Sequence, residues 1–113
     1  MAIASKFRIS GKKRVEEIKK KGRMFQSESF GVLYLKNQEY NVSRFAFVIS
    51  SKISKLAVHR NRVERAMSEA VRYEMNNIEK GYDVVFLAKT KISSMTTDQI
   101  MKEVQKFITS FKP

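Results

Sequence analysis

Lys52, Lys55, His59, Arg60, Asn61, Arg62 and Arg65 crowd into one short stretch of the chain, and Arg72 follows two helical turns later. A guanidinium fork holds two phosphate oxygens at once, and an asparagine amide bonds a base edge or a ribose hydroxyl. Together these types suit a polyanion that also carries bases, which is nucleic acid. The stretch straddles a polar connection and the first turns of a predicted helix. There, free backbone N–H groups and the positive end of the helix dipole also attract phosphate. Cations at that end oppose the dipole, and a sequence built for stability carries Asp or Glu instead. Breaking a local rule in this way marks function. The plainer alternative is a solvated helix face laced by Arg65–Glu69 and Glu69–Arg72 pairs.

Other chemistries lack their residues. Cysteine is absent, which removes disulfides, thiolate nucleophiles and zinc–thiolate sites. His59 is the only histidine, and the two aspartates, Asp83 and Asp98, stand far apart with no D-x-D pattern. Two-metal hydrolysis needs clustered carboxylates. No P-loop, G-x-S-x-G or Cys–His arrangement occurs. The sequence nominates no catalytic residue and no metal ligand.

The charge balance supports an anionic partner. Lys plus Arg is 23 against 11 Asp plus Glu, a net +12 over 113 residues. Such an excess repels itself in the compact state. Residues 1–23 hold a net +7 and residues 44–72 a net +5, while the last third is nearly balanced. A solubilising surface spreads its charge, whereas two blocks meeting in space form a phosphate-binding patch or cleft. The first block supplies Arg8, Lys12, Lys13, Arg14 and Lys19. An anionic membrane surface is the rival partner, but a helix lying on lipid needs a broad apolar face, and Val15 and Ile18 do not make one. No stretch approaches the roughly 20 apolar residues that span a bilayer, and the first ten residues lack the apolar run of a signal peptide. The expectation is a soluble, cytoplasmic protein with no membrane partner.

These side chains need elements to hold them. Ser10 is placed to cap a first helix over about Gly11 to Lys21, stopped by Gly22. Phe30, Val32 and Tyr34 alternate with Gly31, Leu33 and Leu35, which predicts a strand apolar on both faces. Asn37 to Asn41 reads as a turn. Arg44 to Ser50 reads as a second strand, central by its continuous apolarity and hairpin-paired with the first. Ser51 to Leu56 connects to a long helix over about Val58 to Asn77. Val63, Met67, Ala70, Val71 and Ile78 form its buried stripe, and Arg62, Arg65, Glu69 and Arg72 lie opposite. Tyr82 to Ala88 is a third strand, reached by a crossover between parallel strands. Thr96 and Gln99 form a capping box for a last helix striped by Ile100, Val104, Phe107, Ile108 and Phe111. The whole reads as α+β: one domain over 1–113, a single mixed sheet of about four strands packed with three helices. Most aromatics, among them Phe45, Phe47 and Phe86, are assigned to the core.

The stretch from Phe45 to Arg65, FAFVISSKISKLAVHRNRVER, resembles the protein component of bacterial ribonuclease P. The likeness lies in an apolar strand, a Ser/Lys-rich connection, and Ala57, Val58, Arg60, Asn61, Arg62 and Arg65 in the order Ala-Val-x-Arg-Asn-Arg-x-x-Arg. It continues into Tyr82–Ala88 and spans about 7–108. The resemblance implies a subunit of a ribonucleoprotein whose catalytic RNA, working with Mg2+, removes the 5′ leader of precursor tRNA. It implies that the R-N-R helix sits in a left-handed βαβ crossover and binds the RNA subunit, with Lys52, Lys55, His59 and Arg72 beside it. It further implies a leader path along a cleft beside the sheet, for which the candidates are Arg8, Lys12, Lys13, Arg14, Val15, Lys19 and Tyr34. The partners implied are the catalytic RNA and precursor tRNA, with no protein partner. Three departures stand out: Glu64 where the family is usually basic, no Gly around Ser54–Leu56, and Val15 and Lys19 where the first helix commonly presents aromatics. The alternative reading is a non-catalytic ribosomal or general RNA-binding protein. A protein-only nuclease would need the carboxylate cluster this chain lacks.

Overall fold

Strand alternation and helical stripes assemble into one sheet with helices on both faces. In the computed structural model, which describes residues 5–37 and 41–111, the chain runs α1 (Lys12–Lys21), β1 (Arg23–Gln26), β2 (Phe30–Lys36), β3 (Arg44–Val48), α2 (Ala57–Tyr73), β4 (Tyr82–Ala88) and α3 (Thr97–Ser110). The strand order is β1-β2-β4-β3; β1 and β2 run antiparallel, as do β2 and β4, and β3 runs parallel to β4. The α+β class, the three helices and the parallel β3–β4 pair follow the sequence reading.

Successive strand residues point to opposite faces, and the register sorts them into two cores. Phe30, Val32, Phe45, Val84 and Phe86 meet α2 and α3 in the larger one. Leu33 and Val85 meet Ile18 of α1 in the smaller one, flanked by Val15, Leu35, Ala46, Val48 and Leu87. The expected stripe of α2 is buried throughout, from Val63 to Ile78, as are Ile100, Val104, Phe107 and Ile108 of α3. The Thr96–Gln99 capping box is formed, with N–H···O distances of 3.1 and 2.9 Å.

Several expectations give way to tertiary structure. The strand at β3 is not central and does not pair with β2; β4 inserts between them, and β3 takes the edge. Its apolarity comes from cover on that edge: Arg8 bridges Phe45 in parallel register, and the Ile9 N–H donates to the Phe45 carbonyl at 2.9 Å. Strand β3 also stops at Val48, short of Ser50. The hairpin partner of β2 is β1, which sequence reading missed because Arg23–Gln26 is exposed at every position and shows no alternation. Helix α2 ends at Tyr73, and a separate 3-10 turn spans Met75–Asn77. Ser10 caps nothing: Gly11 is the N-cap of α1, at φ 88°, with no side-chain bond. The turn expected over Asn37–Asn41 lies in part outside the described residues.

Candidate nucleic-acid interface

The polar connection before α2 is held in shape. Ile53 is buried in the larger core, its N–H donates to the Ser50 carbonyl at 3.0 Å, and the Leu56 N–H donates to Ser54 Oγ at 3.2 Å. Arg60 reaches back from the first turn of α2 and donates through Nη1 to the Ser54 carbonyl at 2.7 Å. Lys52 and Lys55 are left exposed beside that turn. Leu56 is the N-cap, so no side-chain oxygen caps the helix, and no acidic residue stands in its first turn. The donor end of α2 therefore keeps its full positive character, with Lys52, Lys55, His59 and Arg60 around it.

At about 100° per residue, Val58, Asn61, Arg65 and Arg72 project away from the buried stripe, and all four are exposed. Val58 is 67% exposed, an apolar side chain amid cations. Arg62 lies toward α3 and donates to the Met95 carbonyl at 3.1 Å and Thr97 Oγ1 at 3.4 Å. Glu64 lies on the other flank, 3.7 Å from Arg8. Arg65 has no ion-pair partner among the described residues. Arg72 does: it binds Glu69 at 2.8 Å, packs its guanidinium 4.7 Å from the Tyr73 ring, and is the largest influence holding the Glu69 carboxyl at about 2. The anticipated Glu69–Arg72 pair thus exists, while Arg65 stays out of it.

On the opposite face, α1 lies over the middle of the sheet with Ile18 against Leu33 and Val85. Its C-terminal end touches β2 so closely that a Cβ on Gly22 would stand 2.5 Å from the Ile18 carbonyl oxygen and 3.0 Å from that of Tyr34. Arg14 points to the strand ends and donates to Asp83 at 2.7 Å and to Glu17 at 2.5 Å. Asp83 is fully buried, and Arg44 (2.9 and 2.7 Å) and Asn37 (2.9 Å) also donate to it. Burial alone would raise its pKa; the hydrogen bonds from Arg44, Arg14 and Asn37 outweigh that and hold it below the ordinary aspartate value. With Arg14 on one flank of α1, the helical turn places Lys12, Val15 and Lys19 on the other.

That second flank borders a strip of sheet α1 does not cover. By register the strip runs Gln26, Gly31, Leu87, Val48, with Met24 in the next row beside Leu33, which Ile18 covers. Met24 is 51% exposed, and a side chain added at Gly31 would meet only the Phe25 carbonyl oxygen, at 3.8 Å. Lys89 stands at the far edge, donating to Gln26 Oε1 and the Ser27 carbonyl at 2.7 Å each. The result is a groove with an apolar floor and cations on both banks, able to hold a single strand by its phosphates and its bases.

Comparison with known proteins adds the family. The model of the ribonuclease P family matches residues 3–112. The chain belongs to the ribonuclease P protein family. The ribonuclease P protein component of Caldanaerobacter subterraneus is 35% identical over 79 residues, covering 70% of this chain and 67% of that one. That of Clostridium kluyveri is 31% identical over 104 residues, 90% and 91% of the two chains. The Staphylococcus aureus RNase P protein superposes with a TM-score of 0.84 at 28% identity, covering 94% of this chain and 98% of that one. By family the protein is thus a protein component of ribonuclease P.

Of the α2 candidates in this ribonuclease P component, Lys52, Lys55, His59 and Arg60 come together at the helix start; Asn61 and Arg65 follow on the exposed face over the next two turns, Arg62 turns toward α3, and Arg72 lies farther along and ion-paired. The seven candidates for the leader path do not come together. Lys12, Lys13 and Lys19 are exposed on α1, Val15 is half-buried beneath it, and Arg14 is engaged by Asp83 and Glu17. Arg8 and Tyr34 lie across the sheet, on the α2–α3 face: Arg8 beside Glu64, Tyr34 with its ring 4.9 Å from Phe111. Gly31, Met24 and Lys89 were not anticipated. Gly31 carried a readable signal, since a glycine inside an apolar strand often marks close approach of another chain.

Proposed function

We propose that the start of α2 is the surface that binds the ribonuclease P RNA, and that the groove between α1 and the sheet guides the 5′ leader of precursor tRNA, in the cytoplasm. Hydrolysis then belongs to the RNA and its Mg2+, and the protein neutralises phosphates so that the complex works with less magnesium. The observation that carries the reading is the uncapped start of α2, ringed by Lys52, Lys55, His59 and Arg60, with no carboxylate in its first turn and Arg65 exposed two turns farther along. Among the described residues no three His, Cys, Asp or Glu side chains gather to hold a metal ion. The test is cleavage of a precursor tRNA by a ribonuclease P RNA at low magnesium, with and without the protein. Stimulation is expected; equal rates would reject the reading.

The groove makes a separate prediction. Gly31 has no positive φ, and a Cβ there would make only an ordinary 3.8 Å contact with the Phe25 carbonyl oxygen, so this buried position accepts a side chain. Gly31→Val is expected to keep or raise stability, by up to about 1 kcal/mol, because glycine weakens a strand. It should nonetheless weaken binding of a precursor with a long leader, by filling the floor. Thermal unfolding and precursor affinity, measured on the same sample, check both halves.

A further inference from the structure

We propose that Arg14 is a positioning residue for the leader: it sets the rotation of α1 over the sheet through Asp83 and does not itself contact phosphate. The inference rests on the groove reading above. Two edges of its guanidinium are already used, Nε on Asp83 and Nη1 on Glu17, and its side chain is only 23% exposed. Helix α1 has little else to fix its rotation. Ile18 is its one buried residue, Val15 is half-buried, and no side chain caps its N-terminus. Gly22 fixes where the helix ends but not which way it faces. Six cations against Glu16 and Glu17 also set α1 at odds with the rest of a basic protein.

The Arg14–Asp83 bond is directional, short, and anchored in a carboxylate held from behind by Arg44 of β3 and by Asn37, just past the end of β2. Because Lys12, Val15 and Lys19 share the flank away from Arg14, a bond that pins Arg14 to the strand ends turns that flank toward Gly31 and Leu87. Losing it would let α1 rock about the buried Ile18, so that Lys12, Val15 and Lys19 stay over the groove but no longer hold one fixed position there. Arg14 can be removed without stranding a charge, since Asp83 keeps Arg44 and Asn37.

The experiment compares Arg14→Met, Arg14→Lys and Lys19→Gln in holoenzyme reconstituted with a ribonuclease P RNA. Precursor affinity is measured against salt, with a long leader and with a one-nucleotide leader, and amide hydrogen exchange is followed in the free protein. Arg14→Met is expected to weaken long-leader binding about tenfold and leave one-nucleotide binding and the salt slope unchanged. It should also speed exchange of the Ile18 and Lys19 amides. Arg14→Lys should recover most of the affinity, since an ammonium also bonds Asp83. Lys19→Gln should lower the slope by about 0.7, the value for one single-strand phosphate left without its cation. An equal drop in slope for Arg14→Met would make Arg14 a phosphate ligand and overturn the proposal, as would unchanged exchange in α1. A wild-type slope in Lys19→Gln, with α1 loosened by Arg14→Met, would instead sink the groove reading.

Discussion

Asp83→Asn should lower the unfolding free energy by about 3–5 kcal/mol at neutral pH, the usual cost of removing one partner from a buried ion pair. Asp83 is inaccessible to solvent, and the Arg44 side chain facing it is only 12% exposed. Without the carboxylate, the Arg44 Nε and Nη2 atoms would lose the charged acceptor they donate to and face a neutral amide. The loss is a large share of the 5–15 kcal/mol typical of a whole domain, so urea unfolding should show a much lower midpoint at an unchanged slope. The pH dependence carries the same signature. The folded pKa of Asp83 lies below its ordinary 3.8. Its contribution is therefore complete above that value and is lost as pH falls through the lower folded value. Wild-type stability should drop steeply below about pH 4, and the Asn variant should drop less. Parallel curves for the two proteins would rule out Asp83 as the source.

The second large effect falls on RNA binding. Arg60→Ala with Arg62→Ala should weaken binding of the ribonuclease P RNA about a hundredfold or more, taking roughly 1.5 kcal/mol for each charge-assisted hydrogen bond. The salt slope should fall by about 0.9 for each phosphate no longer neutralised. The structure gives these arginines a second task. Arg60 holds the Ser54 carbonyl and Arg62 the Met95 carbonyl, and each guanidinium keeps further N–H donors for an outside ligand. Fixing one edge of the fork to the protein removes rotamer freedom before RNA arrives. The double variant should thus also expose amides near Leu56 and Thr97 to faster hydrogen exchange. Arg60→Lys with Arg62→Lys keeps the charge and should retain most of the slope while losing affinity. A double Ala variant with wild-type slope would take both arginines out of the interface.

The cluster before and within α2 was legible because its residues are neighbours in the chain. One connection and the first turns of one helix carry Lys52 through Arg65, so local structure alone sets most of their spacing. The groove was not legible, since Val15, Met24, Gly31, Leu87 and Lys89 meet only through strand order. Sequence reading placed β2 next to β3 on the strength of a short link. It assigned β3 to the centre because an edge covered by the Arg8–Phe45 bridge reads just like an interior strand. The same ambiguity put Tyr34 and Arg8 with α1. Alternation shows that Tyr34 and Leu33 face opposite ways, but not which face α1 will cover. Arg14 counted as a free cation for a related reason: its partner Asp83 lies 69 residues away.

Strand order also bears on how the chain comes together. Strands β1 and β2 can pair as soon as both exist, whereas β3 has no neighbouring strand until β4 is made. On a ribosome adding about 5–20 residues per second, that interval is on the order of a few seconds. During it β3 presents an unpaired edge, and the arginine-rich helix is already synthesised while the sheet meant to carry it is incomplete. The slowest step of assembly is then expected to be insertion of Tyr82–Ala88 between two strands made earlier, a non-local closure of the kind that sets folding rates.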